Sequence, residues 1–160
     1  MPSIMSNMKQ SIDSKDIAIL SCLRINAREK LKTIAKNVKL PISTVYDRIK
    51  KMEIEGVIKK YSCLIEPKKM NHSIKTKIFF KIPGELKAKF EAQEVNSPFL
   101  NSLFKLTGGE WNYMAEGFFQ NIDHMCNYTE KLAKEYPESQ HQIHYIVNEL
   151  KQEDFLVDSK

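Results

Sequence analysis

Residues 31–56, LKTIAKNVKLPISTVYDRIKKMEIEG, carry two apolar stripes at helical spacing with a proline between them. Leu31, Ile34, Ala35 and Val38 fall at i, i+3, i+4 and i+7, and Val45, Ile49 and Met52 at i, i+4 and i+7. Each set lies on one face of a helix that turns every 3.6 residues. Pro41 is tolerated at the start of the second helix, where a missing N–H has no intrahelical acceptor to lose. Gly56 supplies a C-terminal stop. The spacing predicts helices over 31–38 and from Ile42 to about Glu55, joined by a very short turn. Such a pair is a helix-turn-helix.

Upstream, Asp13 with Asp16 three residues later reads as a helix N-cap with an acidic first turn. Ile12 is placed to staple onto that turn, and Ile17, Ile19, Leu20 and Leu23 give a buried face up to Ala27. Residues 1–11 are polar and aperiodic and read as a flexible tail.

Downstream, Val57 to Ile65 is rich in β-branched and aromatic residues and reads as a strand closed by Pro67, with the linker to a second domain after it. Ile74, Thr76, Ile78, Phe80 and Ile82 alternate with Lys75, Lys77, Phe79 and Lys81, a strand with one apolar face. A helix from Glu85 to Glu94 is anchored by Leu86 and Phe90. A strand over 99–106 and another over 112–119 flank Gly108 and Gly109 as a hairpin. Asp123 is expected to open the next helix, with Ile122, Met125, Cys126, Thr129, Leu132, Ala133 and Tyr136 on one face and Pro137 ending it. His141, Ile143, Tyr145 and Val147 mark a last strand. The order β-α-β-β-α-β is ferredoxin-like, with two helices on one face of an antiparallel sheet. Its other face carries Phe79 and Ile146, an apolar surface suited to self-association.

The expected fold is therefore α+β. A tail (1–11) precedes a winged-helix-like helix-turn-helix domain (12–56), a strand linker (57–72), a ferredoxin-like βαββαβ domain (73–150) and a C-terminal tail (151–160).

With 160 residues and 42% hydrophobic content, the chain can bury a core. It has neither an apolar run long enough for a membrane helix nor a signal-peptide block, so it is expected to be cytoplasmic and nucleoid-associated, with no membrane partner. Three distant cysteines, Cys22, Cys63 and Cys126, offer no disulfide framework and no CxxC metal site, and are expected to be free, partly buried thiols. The net charge of +5 is split unevenly: residues 1–70 hold 15 Lys and Arg against 7 Asp and Glu, a net of +8, which leaves −3 for residues 71–160. A basic domain beside a mildly acidic one points to DNA as the first partner, since neutralising phosphates releases counterions.

If Val45, Ile49 and Met52 face the core, Ile42, Ser43, Tyr46, Asp47 and Lys50 lie on the opposite side. A recognition helix has this layout, with base contacts near its N-terminus and phosphate contacts from basic residues. Ser43, Thr44, Tyr46 and Asp47 are the expected base-side contacts, and Arg48, Lys50 and Lys51 the expected phosphate ligands. The competing role for Arg48 is an ion pair with Glu53 or Glu55.

The stretch "IDSKDIAILSCLRINAR", followed by "LKTIAKNVKLPISTVYDRIKKMEIEGVIKKYSCLIEPKKM", resembles the Lrp/AsnC (leucine-responsive, feast/famine) transcriptional regulators. The likeness runs through Asp13, Asp16, Ile19, Leu20, Leu23, Arg28, Ala35, Leu40, Val45, Arg48, Ile49, Glu55, Gly56, Ile58, Tyr61 and Pro67. "TGGEWNY" is similar to the Gly-x-aromatic-Asp hairpin of the family's C-terminal domain. The resemblance implies a DNA-binding regulator acting as a dimer, tetramer or octamer. It also implies an amino-acid effector near Thr107, Gly108, Gly109, Glu110, Trp111 and Asn112. Lys30 and Pro41 replace capping serines, Lys39 a turn glycine, Asn71 a linker glycine and Asn112 the hairpin aspartate. The alternative is an oligomeric small-molecule sensor or co-regulator without DNA binding.

Some proteins similar to this family decarboxylate sirohaem through His and Arg. Here His141 and His144 stand three apart on a strand and face opposite ways. No arginine-and-glycine stretch of that kind lies between Lys60 and Ile82, and no Ser/His/Asp group, phosphate loop or paired-carboxylate motif is present. No enzyme activity, cofactor or metal is expected.

Overall fold

In the computed structural model the described residues are 12–157, and the expected tail 1–11 and the last residues 158–160 lie outside them. Two units divide the described chain, one of residues 12–64 with 151–157 and the other Ile65–Leu150.

The first unit opens with α1 (Ser14–Ile25), capped as its sequence predicts: Asp13 Oδ1 accepts from the backbone N–H of Lys15 and Asp16, both at 2.8 Å, and Asp16 Oδ2 accepts from Asp13 N–H at 3.1 Å. Helices α2 (Leu31–Val38) and α3 (Ile42–Ile54) follow. Ile19, Ile34, Ala35, Val38, Val45, Ile49 and Met52 form one buried cluster, flanked by Leu20, Leu23, Leu31 and Ile58. Ile17, expected on the buried face, is exposed. Neither Lys30 before α2 nor Pro41 before α3 makes a side-chain cap. Lys39 ends α2 in the left-handed region, at φ +56°, as the place of a turn glycine would require.

The strand expected over 57–65 does not form among the described residues; the chain bends at 57–58 and has no ladder through 65. High β propensity raises the tendency to extend, but a strand exists only where a second backbone takes its N–H and C=O groups. What fixes the segment instead is Ile58 N–H on the Met52 carbonyl at 3.0 Å and Tyr61 OH on Glu53 at 2.8 Å. Residues 151–157, expected as a tail, belong to the first unit. Arg24 on α1 donates to the Glu153 carboxylate at 2.8 Å, to the Glu153 carbonyl, and to the Phe155 carbonyl at 3.2 Å.

In the second unit a short 3-10 turn, Pro67–Met70, ends at Asn71 with φ +60°. Then come β1 (Ile74–Lys81), a turn at Gly84–Leu86 leading into α4 (Lys87–Glu94), β2 (Leu100–Lys105), β3 (Tyr113–Phe119), α5 (Ile122–Glu135) and β4 (Gln140–Tyr145). The sheet order β2-β3-β1-β4 with every pair antiparallel is the ferredoxin-like plan. Thr76, Ile78 and Phe80 on β1 and Tyr113, Ala115 and Phe119 on β3 are buried beneath the helices with Phe90, Met125, Tyr128, Leu132 and Tyr136.

Two local expectations shift. Asn121, not Asp123, caps α5, its Oδ1 accepting from His124 N–H at 2.8 Å, and Asp123 sits inside the first turn. The buried face of α5 is Met125, Tyr128 and Leu132, while Cys126 and Ala133 are exposed. The Tyr128 ring packs 5.3 Å from Phe99 and 5.6 Å from Phe119 between centroids, and so large a side chain turns the helix toward itself rather than toward a thiol and a methyl. Of the thiols, Cys22 alone is half-buried; Cys63 and Cys126 are exposed.

On the open face of this sheet, Glu116 is buried and takes Lys75 at 2.9 Å, Lys77 at 3.4 Å and Asn101 at 2.9 Å. Phe79, Met114 and Phe118, half-buried, share this face with it.

Candidate nucleic-acid interface

Helix α3 presents Ile42, Ser43, Tyr46, Asp47 and Lys50 outward, as the core stripe requires, and Lys51 is exposed beside them. The first turn has no side-chain cap, so the N–H groups of its opening residues stay free for an acceptor. Tyr46 and Lys50 form one unit on this face: Lys50 Nζ lies 5.9 Å from the Tyr46 ring centroid and 2.9 Å from Glu53. The hydrogen bond to Glu53, with its charge, raises the Lys50 ammonium above its ordinary pKa, so it stays charged. In return Lys50, and then Tyr61, hold the Glu53 carboxyl below the usual range. Burial, with Glu53 next to it, pushes the Tyr61 hydroxyl up to about 12. Lys51 makes no ion pair among the described residues. Thr44 is half-buried on the flank of the helix.

Arg48 is paired within the helical unit. Its Nη1 donates to Asp13 at 2.8 Å and Asp16 at 2.7 Å, and neither Glu53 nor Glu55 is its partner. Hydrogen bonds donated to Asp13 and then to Asp16 raise the guanidinium pKa. The Asp13 carboxyl is lowered in turn, first by the Asp16 N–H and next by Arg48. Sequence spacing marks the two aspartates as a cap alone. What points to the cation is the oxygen count: a capping box uses one oxygen of each carboxylate and leaves the other free.

The candidate effector residues lie together on the β2–β3 connection. Thr107, Gly108, Gly109 and Glu110 are exposed, with Glu110 3.4 Å from Lys81, while Trp111 is half-buried 6.5 Å from the Phe79 ring. Gly108 and Gly109 adopt φ +81° and +80°, which other residues reach only with strain. The Asn112 side chain is anchored by two hydrogen bonds that leave one N–H and one oxygen lone pair over. Its Oδ1 accepts from Ile82 N–H at 2.9 Å and its Nδ2 donates to Ile82 C=O at 2.8 Å. An aspartate there accepts the first bond but has no N–H for the second.

His141 and His144 pair with Phe80 and Lys77, so they occupy opposite faces of β4. No group of three or more His, Cys, Asp or Glu suited to a metal occurs among the described residues, and no described helix is long and apolar enough to cross a membrane.

Residues 12–53 match the AsnC-type helix-turn-helix domain. The chain is 42% identical over 69 residues to the HTH-type transcriptional regulator LrpB of Bacillus subtilis, covering 43% of this chain and 46% of that protein. It is 24% identical over 126 residues to the regulator FL11 of Pyrococcus horikoshii, covering 79% and 83%. Its fold matches a Neisseria meningitidis transcriptional regulator solved with L-methionine, at TM-score 0.81 and 25% identity over 89% of this chain and 94% of that one. LrpC of Bacillus subtilis matches at TM-score 0.80 and 19% identity, over 88% and 98%.

The chain carries an AsnC-type helix-turn-helix domain. That domain ends one residue before Ile54, the last residue of α3, so α1, α2 and nearly all of α3 fall inside it. The relatives named above are HTH-type transcriptional regulators.

Proposed function

We propose that the protein is a sequence-specific DNA-binding transcriptional regulator that sets α3 into the major groove. The observation that supports this most is the AsnC-type domain whose third helix keeps Ser43, Tyr46, Asp47, Lys50 and Lys51 outward while Val45, Ile49 and Met52 are buried. Ser43, Thr44, Tyr46 and Asp47 are the residues in reach of base edges, and Lys50 and Lys51 the phosphate ligands. Lys51→Glu is expected to weaken binding at low salt and to lower the slope of log affinity against log salt by about 0.9, the share of one phosphate contact. Fluorescence anisotropy on duplexes enriched from a random pool by the unaltered protein measures both. If the protein enriches no duplex, the reading fails.

Two recognition helices one DNA turn apart need a dimer. The open sheet face, with Phe79, Met114 and Phe118, is an apolar surface suited to a second copy, and assembly to tetramers or octamers extends the same reading. Sedimentation of the full chain tests it, and a monomer at micromolar concentration counts against it. An amino acid is the effector class, supported by the L-methionine complex of the similar Neisseria regulator. Thr107 to Asn112 are the residues proposed to meet it. Calorimetric titration with the twenty amino acids, methionine first, is expected to give heat for at least one, and heat for none removes this part of the proposal. With DNA as ligand, the site of action is the nucleoid.

A further inference from the structure

The turn between α2 and α3 is held locally by backbone alone. Lys39, left-handed without being glycine, and Leu40 both donate to the Ala35 carbonyl, and Pro41 gives α3 no side-chain cap. The first turn of α1 reaches both sides of that turn. Lys15 Nζ donates to the carbonyl of Val38, the last residue of α2, at 2.8 Å. This satisfies one of the carbonyls that a helix end leaves without a partner. Across the turn, Arg48 in the middle of α3 donates to Asp13 Oδ2 at 2.8 Å and Asp16 Oδ1 at 2.7 Å. The remaining two carboxylate oxygens, Asp13 Oδ1 and Asp16 Oδ2, hold the capping box, so all four are engaged.

We propose that Asp13, Lys15, Asp16 and Arg48 form a polar clamp through which the first turn of α1 sets α3 against α2, with Arg48 a positioning residue for DNA binding and not a phosphate ligand. The proposal rests on the DNA-binding reading above. For Arg48 to reach a phosphate it must leave two carboxylates, one of them on an Asp16 side chain only 13% exposed, and both would then face the polyanion without their cation. That exchange gives up two charge-assisted hydrogen bonds to gain one. Lys50 and Lys51, exposed on the same helix, supply phosphate contacts without that cost.

The two roles differ in sign at Asp16. If Arg48 is a clamp, Arg48→Gln, which loses both carboxylates, weakens binding to the enriched duplex about tenfold, Asp16→Asn, which keeps Asp13, weakens it less, and the double variant is no weaker than Arg48→Gln alone. The salt slope stays that of the unaltered protein, and amide hydrogen exchange in α3 quickens in both variants. If Arg48 is a phosphate ligand, Asp16→Asn leaves binding unchanged or tightens it, and Arg48→Gln lowers the slope by about 0.9. That result overturns the proposal. Should Arg48→Gln fail to fold, Lys15→Met tests the other arm, with faster exchange at the end of α2 and weaker binding expected, and no change in either overturning it. Exchange also separates the two readings. If no duplex binds, DNA recognition fails, while the clamp still stands or falls on α3 protection in Arg48→Gln.

Discussion

The two cores of this protein are built from different side chains. In the first unit every buried member of the cluster is aliphatic or Met: Ile19, Ile34, Ala35, Val38, Val45, Ile49 and Met52. In the second, Phe80, Phe90, Tyr113, Phe119, Tyr128 and Tyr136 dominate. The aromatic core also carries polar tips. Tyr128 OH donates to the buried Glu94 at 2.8 Å, Tyr136 OH to Gln93 at 2.6 Å, and Tyr113 OH to Glu91 at 2.5 Å. Thus α4 is joined to α5 and β3 by hydroxyls from inside the layer. The helical unit instead places its charged contacts at the rim, in Arg48 with Asp13 and Asp16.

Truncation tests the contrast most strongly. Phe90 is fully buried, with ring centroids 5.2 Å from Phe80, 4.9 Å from Tyr113 and 5.2 Å from Tyr136. Phe90→Ala is expected to destabilise the second unit by about 4 kcal/mol, and Ile34→Ala the first by about 3 kcal/mol. Urea unfolding followed by fluorescence of Trp111, the sole tryptophan of the chain, reports the second unit, and helical circular dichroism follows both. Equal shifts of Trp111 fluorescence in the two variants would break the contrast.

A smaller effect separates polar tip from ring. Tyr128→Phe keeps the ring and leaves Glu94 with one tyrosine partner, at a cost of about 2 kcal/mol in the same measurement. A loss below a few tenths would show that the hydroxyls contribute nothing to joining the helices.

Acid titration sharpens the comparison at the sheet. Burial works to raise the Glu116 carboxyl, but hydrogen bonds from Lys75 and Asn101, with the charges of Lys77 and Lys75, outweigh it and leave the group below its ordinary value. A lowered carboxylate contributes stability that is complete above the unfolded value of about 4.3 and is lost as pH falls through the folded value. Stability of the second unit is expected to fall below about pH 4.3 and to fall less steeply in Glu116→Gln. Parallel acid curves for the two proteins would show that the cluster carries no such linkage.

The smallest expected change is a gain. Lys39→Gly relieves a left-handed residue at the end of α2 and is expected to stabilise the first unit by about 1 kcal/mol, read as a higher urea midpoint in circular dichroism. A lower midpoint would show that the lost chain stiffness of the unfolded state outweighs the relief.

Features set by near neighbours along the chain are legible in the sequence itself. The capping box of Asp13 and Asp16 spans three residues, and the stripes of α2 and α3 need only a helical period. The alternation along β1 likewise names the residues that enter the core. Expectations fail where a distant group decides. Arg48 finds acids 32 and 35 residues away instead of the near glutamates. Asn112 is held by Ile82, 30 residues back, a bond no hairpin motif announces. The face of α5 turns on which aromatic rings stand opposite it.

The sequence by itself determined the order of elements, the basic and acidic halves, and the outward set Ser43, Tyr46, Asp47 and Lys50, because periodicity and charge are local sums. Only the tertiary structure decided that Arg48 joins α3 to α1, that Glu116 gathers Lys75, Lys77 and Asn101 on the open sheet face, and that 57–65 runs without a ladder. Those outcomes depend on hydrogen-bond partners that the fold brings within about 3 Å, and a carboxylate or an N–H has no preferred partner until the backbone sets one at bonding distance.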